Sequence, residues 1–420
     1  MTRWLPIGLV GGVAAVVVVL VLALGGGDGS SAVPEGGSSF GATTTGGGGQ
    51  TGLLDALAPV LEQAQEEGTA PRAAGAGAAS AAAAPPAPAP EPAAGGLPAG
   101  ASRSAARLFL IGFGGTAAGP AVLRQVGAHE WGGVVLEPGN GSSPQQVAGL
   151  VGRLRGAAQR ARHVVPVIAA SQLGGDYDAV PVGSALPSAA ADAAAAQRAA
   201  LGAGKVLHTL GIRLVLAPVA DTSTPGGPWE GLAYSDDPDD VTAMASAAVA
   251  GWKRGGVAPA PGHFPGEGAA SGDPVEGPAT VGLSMDELRG RDLRPFASLA
   301  ASAPAIQLSS ATYVAFDGVT PATLLPEVVA QLRDDLKFGG VIVSGDLAAA
   351  SLATGRPVAE LAVAAVKAGC DLLWIPGDAA AQEAAWRAVV RALRSGDLPS
   401  VRVAEALRRV SLLRAQYGVR

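Results

Sequence analysis

Twelve residues concentrate the reactive chemistry of this chain: Gly262-His263-Phe264-Pro265-Gly266-Glu267-Gly268, running on to Asp273. An imidazole and two carboxylates in so short a span can hold and move protons, and a carboxyl serves as a proton donor when its pKa is raised. The setting is a shaped loop and not a spacer, because Gly266 and Gly268 permit positive φ and Pro265 fixes its own φ. For Glu267 the favoured expectation is a solvated carboxylate in a Gly-rich surface loop. A third carboxylate, Asp346, closes the apolar run Gly340–Asp346, where a strand would end. Asp221 and Asn140 also end such runs, and they either line a pocket with His263 or act as local turn caps. The other histidines (His129, His163, His208) are scattered and adjoin or lie within helical stretches. No two histidines have ligand spacing on one helix face, so no metal is expected.

Composition narrows the classes. The net charge of −6 without a basic block argues against nucleic acid as a partner. Cys370 is the single cysteine, which excludes internal disulfides and Cys-rich metal sites. No cofactor motif stands up to inspection. Gly112-Phe113-Gly114-Gly115-Thr116-Ala117 fits a dinucleotide fingerprint loosely, with Glu137 ending the next strand. Pro120, however, sets the helix start too late, and Pro138-Gly139 follows Glu137 at once.

The elements that position these residues begin near Ala105. From there apolar runs alternate with helix-like stretches. The runs are Leu108–Gly112, Gly133–Glu137, Val164–Ala170, Arg213–Val219, Val257–Phe264, Ala305–Ala311, Gly340–Asp346 and Asp371–Pro376. Each is short, rich in Val, Ile, Leu and Ala, and bounded by Gly or Pro, as for strands buried on both faces. Helices are expected over Ser143–Arg162, Ala189–Leu210, Pro238–Lys253 and Pro326–Lys337. Ser142-Ser143-Pro144 and Asp236-Asp237-Pro238 supply caps before a first-turn proline. Eight such units predict an α/β fold, a (β/α)8 TIM-type barrel, with a doubly wound sheet as the alternative.

Residues 1–27 read as an N-terminal transmembrane helix. Trp4 to Leu24 carries no charge and covers about 30 Å of hydrocarbon. Arg3 on its N-terminal side favours a single-pass anchor with the remainder extracytoplasmic. A secreted chain after signal-peptide cleavage is the alternative. Residues 28–104 read as a disordered Gly/Ser/Ala/Pro-rich linker, in which Leu53, Leu54, Leu57, Val60 and Leu61 recur at helical spacing. Residues 105–420 form the barrel domain.

The loop around His263 resembles the signature of glycoside hydrolase family 3, as in the β-N-acetylhexosaminidases, which reads Lys-His-Phe-Pro-Gly-His-Gly-Asp. Ala217-Pro218-Val219-Ala220-Asp221 is similar to the family's Ala-Pro-Val-x-Asp, and Asp292-Leu293-Arg294-Pro295-Phe296 to its Asp-Leu-x-Pro-Phe. Tyr234 with Asp237-Pro238, the run Thr320–Leu324 and the run Gly340–Leu347 extend the resemblance over most of 105–418. It implies a barrel and an O-glycosyl hydrolase acting on N-acetylglucosamine-containing glycans such as peptidoglycan fragments.

Retaining glycoside hydrolysis needs a nucleophilic carboxylate and a general acid about 5 Å apart. By the resemblance the nucleophile position is Gly345 and the general-acid histidine position is Val275, while Asp273 matches that histidine's partner. The lysine beside His263 becomes Gly262. Asp-Gln-Glu-Gly-Gly-Arg after the third strand becomes Ser171-Gln172-Leu173-Gly174-Gly175-Asp176. The arginine before Tyr234 becomes Leu232, and a strand-six histidine becomes Ser310. The framework persists while the reactive groups do not. The leading expectation is therefore a pseudoenzyme that binds cell-wall glycan or a protein partner. A working hydrolase would have to use relocated carboxylates, with Asp346, Asp273 and Glu267 as the catalytic candidates and His263, Asp221 and Asn140 as substrate contacts. A ligand-free structural barrel is the third reading.

Overall fold

A computed structural model describes residues 101–183 and 187–419. The anchor expectation and residues 28–100 of the linker expectation lie outside the described residues; the last four linker positions, expected to be disordered, open a short helix, Ala101–Ala105. Among the described residues no helix is long and apolar enough to cross a membrane.

Eight parallel strands form one sheet: β1 (Phe109–Ile111), β2 (Gly133–Leu136), β3 (Val167–Ser171), β4 (Leu214–Leu216), β5 (Ala258–Pro259), β6 (Ala305–Gln307), β7 (Val341–Asp346) and β8 (Leu372–Ile375). Their order runs β5-β4-β3-β2-β1-β8-β7-β6. Each falls inside an apolar run expected from the sequence, except that β3 extends one residue past Ala170 to Ser171. The doubly wound alternative is set aside because the two ends of that order meet. Phe264 N donates to Gln307 O at 2.9 Å and Ser309 N to Phe264 O at 2.8 Å, which closes the sheet into a barrel. The ladder of β5 is shorter than the expected run because Pro259 and Pro261 carry no N–H to donate.

The strand residues divide between two apolar layers, as the two-residue period dictates. Leu110, Val135, Ala169, Leu216, Val343 and Trp374 fill the barrel interior. Phe109, Ile111, Val134, Leu136, Ile168 and Ile342 face the helices outside. Burying each such branched side chain stabilises the fold by roughly 1.5–3 kcal/mol before entropy is counted.

The outer ring comprises α1 (Pro120–Ala128), α2 (Pro144–Arg160), α3 (Ala193–Thr209), α4 (Pro238–Arg254), α5 (Leu293–Leu299), α6 (Pro326–Ala330), α7 (Val358–Ala368) and α8 (Ala379–Ser395). The expected caps are in place: Ser143 Oγ accepts from Gln146 N at 3.1 Å and Asp237 Oδ1 from Asp239 N at 2.8 Å. The stretch expected as one helix over Pro326–Lys337 is instead α6 followed by a π turn over Gln331–Asp335. Outside this ring, α9 (Ser400–Gln416) caps the N-terminal ends of the strands, with Val410 and Leu413 in the interior layer. There Asp371, fully buried, accepts from Arg333 Nη2 at 2.6 Å, Arg402 Nη2 at 2.5 Å and Arg409 Nη1 at 3.1 Å.

Candidate functional site

The C-terminal ends of the strands surround a cavity of about 570 Å³. Its walls come from most strand ends and the loops beyond them: Glu137 after β2, Leu173 and Tyr177 after β3, Trp229 after β4, His263 to Glu276 after β5, Ser310 after β6, Gly345 and Asp346 in β7, and Trp374 in β8. Sites of barrel proteins form on this face, because the βα loops vary there while the strands hold them rigidly.

Asp221 organises the signature loop from behind. It is fully buried beyond β4, and its carboxylate accepts from the backbone of His263 (3.2 and 3.1 Å) and of Glu267 (2.6 Å). It also meets His263 Nδ1 at 2.9 Å. Three N–H groups on one carboxylate fix the loop's path and orient the imidazole. From the other side Tyr313 Oη donates to Gly266 O at 3.0 Å. Gly266 has φ 127°, where an L side chain would be strained. Gly268 is needed for a different reason from the one expected: its φ is ordinary, but a Cβ there would run into the Thr222 carbonyl. The Gly262–His263, Phe264–Pro265 and Ala217–Pro218 peptide bonds are cis.

His263 stacks on Trp229, with ring centroids 4.5 Å apart and planes inclined by 21°. Burial alone would lower its pKa, but the charges of Glu267 and Asp221 and the hydrogen bond to Asp221 outweigh burial and hold it up at about 9. The imidazolium then lies against the indole face, a favourable cation–π arrangement.

Glu267 corrects the sequence reading. The expected solvated carboxylate is 2% exposed, and Oε1 accepts from Ser309 Oγ at 2.6 Å and Ser310 N at 2.9 Å. Its other oxygen lies 3.7 Å from His263 Nδ1. Burial raises its pKa and the imidazolium opposes that rise. Its partners Ser309 and Ser310 are 42 and 43 positions further along the chain, so no local signal marked it.

Gly345 and Asp346 occupy the end of β7. Gly345 follows Val343 on the interior row, so a side chain there would point into the barrel. A Cβ built on Gly345 meets Ser310 Oγ well inside van der Waals contact and lies 3.0 Å from both Ser309 C and Ser310 N. Asp346 turns instead to cap the short helix Leu347–Thr354, its Oδ1 accepting from Ala348 N at 2.7 Å and Ala349 N at 3.0 Å. It still lines the cavity. Burial raises its pKa against those two hydrogen bonds, with Asp273 adding to the rise.

The remaining expected residues are dispersed. Asp273 lines the cavity, and its Oδ1 also accepts from Val275 N at 2.9 Å, closing a local turn. Val275 at the mouth is 62% exposed. Asn140 is not among the walls. It is 2% exposed, and its side chain braces two loops: Oδ1 accepts from Glu137 N at 2.8 Å, and Nδ2 donates to Phe113 O at 3.0 Å and Gly115 O at 2.8 Å. Of the two alternatives for Asn140, the turn cap is the one observed. Asp221 likewise sits behind the wall and reaches the cavity only through His263. Several cavity residues were missed. Tyr177, Trp229, Glu276 and Trp374 gave no sequence signal. Glu137 gave one, since an acidic residue ending a barrel strand faces the site; burial and the charge of Asp346 raise its pKa to about 7. Among the described residues no cluster of side chains has the makings of a metal site.

A closed parallel barrel with its cavity at the C-terminal ends of the strands defines the class as a (β/α)8 TIM-type barrel. Comparison with known proteins narrows the class. The model for "Glycosyl hydrolase family 3 N terminal domain" matches residues 117–413, so the chain belongs to glycoside hydrolase family 3. The Beta-hexosaminidase of Methylococcus capsulatus is 31% identical over 253 residues, covering 58% of this chain and 74% of that protein. Beta-hexosaminidase LpqI of Mycobacterium tuberculosis is 32% identical over 221 residues, covering 50% of this chain and 56% of that protein. Among solved structures, the family 3 beta-N-acetylglucosaminidase from Paenibacillus sp. superposes with a TM-score of 0.71 at 29% identity, over 76% of this chain and 62% of that one. The Beta-N-acetylhexosaminidase from Beutenbergia cavernae gives 0.69 at 26% identity, over 76% and 98%.

Proposed function

We propose that this chain is a glycan-binding member of its family that does not carry out retaining hydrolysis, and that its ligand is built on amino sugars of the N-acetylglucosamine type. The observation that carries this reading is the packing at Gly345. The family pattern calls for a nucleophilic carboxylate there, and the space that its Cβ would need is taken by Ser310 and the adjoining backbone. The neighbouring carboxylate of Asp346 is committed to a helix cap. The cavity itself persists, walled by aromatic rings that suit the C–H faces of sugars. Losing one member of a catalytic unit costs a worked protease about 10⁶ in turnover, and here nucleophile and acid positions are altered together.

The test is an assay of the full chain on chromogenic β-N-acetylglucosaminides and β-glucosides across pH 4–8, paired with calorimetric titration of peptidoglycan fragments. Binding without turnover is expected. A second reading, hydrolysis through relocated carboxylates, draws support from Glu267, which is buried beside a cationic histidine with a raised pKa. Turnover that disappears in both Asp346→Asn and Glu267→Gln would establish that reading in place of the first. Neither turnover nor glycan binding would leave a barrel serving a protein partner or no ligand at all.

The charge-free stretch Trp4–Leu24 supports a membrane-anchored location with the barrel extracytoplasmic. Fractionation and external protease digestion of intact cells test it. Recovery of the barrel in the soluble cell interior would refute it.

A further inference from the structure

We propose that the groove between α7 and α8 is the seat of a segment of this same chain, Leu53–Glu67. The groove has a volume of about 510 Å³. Ala359, Val363 and Ala364 of α7 and Ala388 and Ala392 of α8 form its floor, and Arg356, Lys367 and Arg391 stand along its rim. Small side chains on two neighbouring helices leave room for the larger ones of a third, the arrangement by which an amphipathic helix is held in a groove. Leu352, 55% exposed, continues the apolar surface past Arg356.

The sequence outside the described residues holds a segment of matching character. Leu53, Leu54, Leu57, Val60 and Leu61 share one face at helical spacing, and Asp55, Glu62, Glu66 and Glu67 accompany them. From Leu53 to Leu61 is about 12 Å of helix, the same as from Ala359 to Lys367 along the α7 wall. So short a stretch, with Pro59 inside it, gains too little from its own hydrogen bonds to hold a helix in water, and its apolar face calls for a partner.

Charge agrees with shape. No lysine or arginine lies between Arg3 and Arg72, so the carboxylates of the segment have no local counter-charge. On the rim, Arg356 is paired with Glu360 and Lys367 with Asp397, while the exposed Arg391 has no ion-pair partner among the described residues. The connection is also long enough. The short helix Ala101–Ala105 runs against α8, so the chain enters the barrel beside one wall of the groove. From Leu61 to Ala101 is about 40 residues with a reach of about 35 Å, against a helix thickness of roughly 10–12 Å. On the membrane-anchored reading, seating the segment leaves Gly25–Gly52 as the spacer and shortens the barrel's reach from Trp4–Leu24 from about 50 Å to about 30 Å.

Electron–electron distance measurement on the full chain tests the proposal, with nitroxides on cysteines introduced by Ala64→Cys and Ser395→Cys. Cys370 is fully buried and stays unlabelled. A narrow distribution below about 25 Å is expected, against the broad one centred at about 35 Å that an unseated chain of this length gives. Leu57→Asp with Leu61→Asp, which leaves every barrel residue untouched, should return the broad form. Lys367→Glu with Arg391→Glu, on the exposed rim, should do the same. A broad distribution in the parent, or a narrow one indifferent to either pair of changes, overturns the proposal. A narrow distance that appears only between separately labelled chains in a mixture identifies a second copy as the occupant and also overturns it.

Discussion

Replacing Gly345 by alanine asks directly whether the nucleophile position is filled. Strand β7 cannot shift to make room, because Gly345 N donates to Thr323 Oγ1 at 3.0 Å and Ser344 Oγ accepts from Trp374 N at 2.8 Å. Relief must come from Ser310. Rotating its hydroxyl away forfeits the 3.0 Å bond to Asp346 O, worth about 1 kcal/mol. The new methyl still lies 3.0 Å from Ser309 C and Ser310 N, and overpacking of that kind costs roughly 1–3 kcal/mol. Alanine recovers about 0.5–1 kcal/mol over glycine within a strand. The net expectation is a loss of about 1–3 kcal/mol in urea unfolding followed by circular dichroism. In a Ser310→Ala background the same replacement should cost about 1 kcal/mol less, because the hydroxyl is already gone. A Gly345→Ala protein within about 0.5 kcal/mol of the parent would refute the reasoning. The position would then be open, and the proposed lack of hydrolysis would lose the observation that carries it.

Other outcomes follow from the same geometry. The His263 ring should titrate near pH 9 by NMR; because its folded pKa lies above the unfolded value, its stabilising contribution is full below about pH 6.5 and is lost as pH rises through 9. A midpoint below 7 would contradict the buried pairing with Asp221 and Glu267. Asp371→Ala should cost about 3–5 kcal/mol, since three guanidinium groups would lose their shared buried carboxylate; a loss under 1 kcal/mol would show them satisfied elsewhere. Asp346→Ala should lower stability by about 1 kcal/mol and Asp346→Asn by much less, because asparagine caps a helix as well as aspartate does. Equal losses in the two would mean that the cap contributes nothing. Glu137→Gln should be more stable relative to the parent at pH 8 than at pH 5, since the raised carboxyl is costly to ionise only above its unfolded pKa. An unchanged difference across that range would place Glu137 in water.

The barrel was legible in the sequence because its signals are local. Runs such as Gly133–Glu137 and Gly340–Asp346 declare strands by their own composition, and Asp237 before Pro238 declares a helix start within three residues. The signature loop was legible for the same reason. What escaped was whatever depends on a partner far along the chain. The burial of Glu267 under Ser309 and Ser310, the stacking of Trp229 on His263 and the proximity of Glu137 to Asp346 are made by the closed barrel, and no window of neighbouring residues contains them. The π turn at Gln331–Asp335 escaped because its apolar spacing still reads as an ordinary helix.

The direction of the strands has a bearing on how the barrel meets large ligands. Every strand runs the same way, so the chain enters β1 at the face sealed by α9, beside the Asp371 cluster, whereas the cavity opens at the other face. Whatever precedes Ala101 is therefore joined to the barrel at the pole opposite the mouth. The opening is free of α9 and of the segment that enters β1, so a long polymer can approach it broadside.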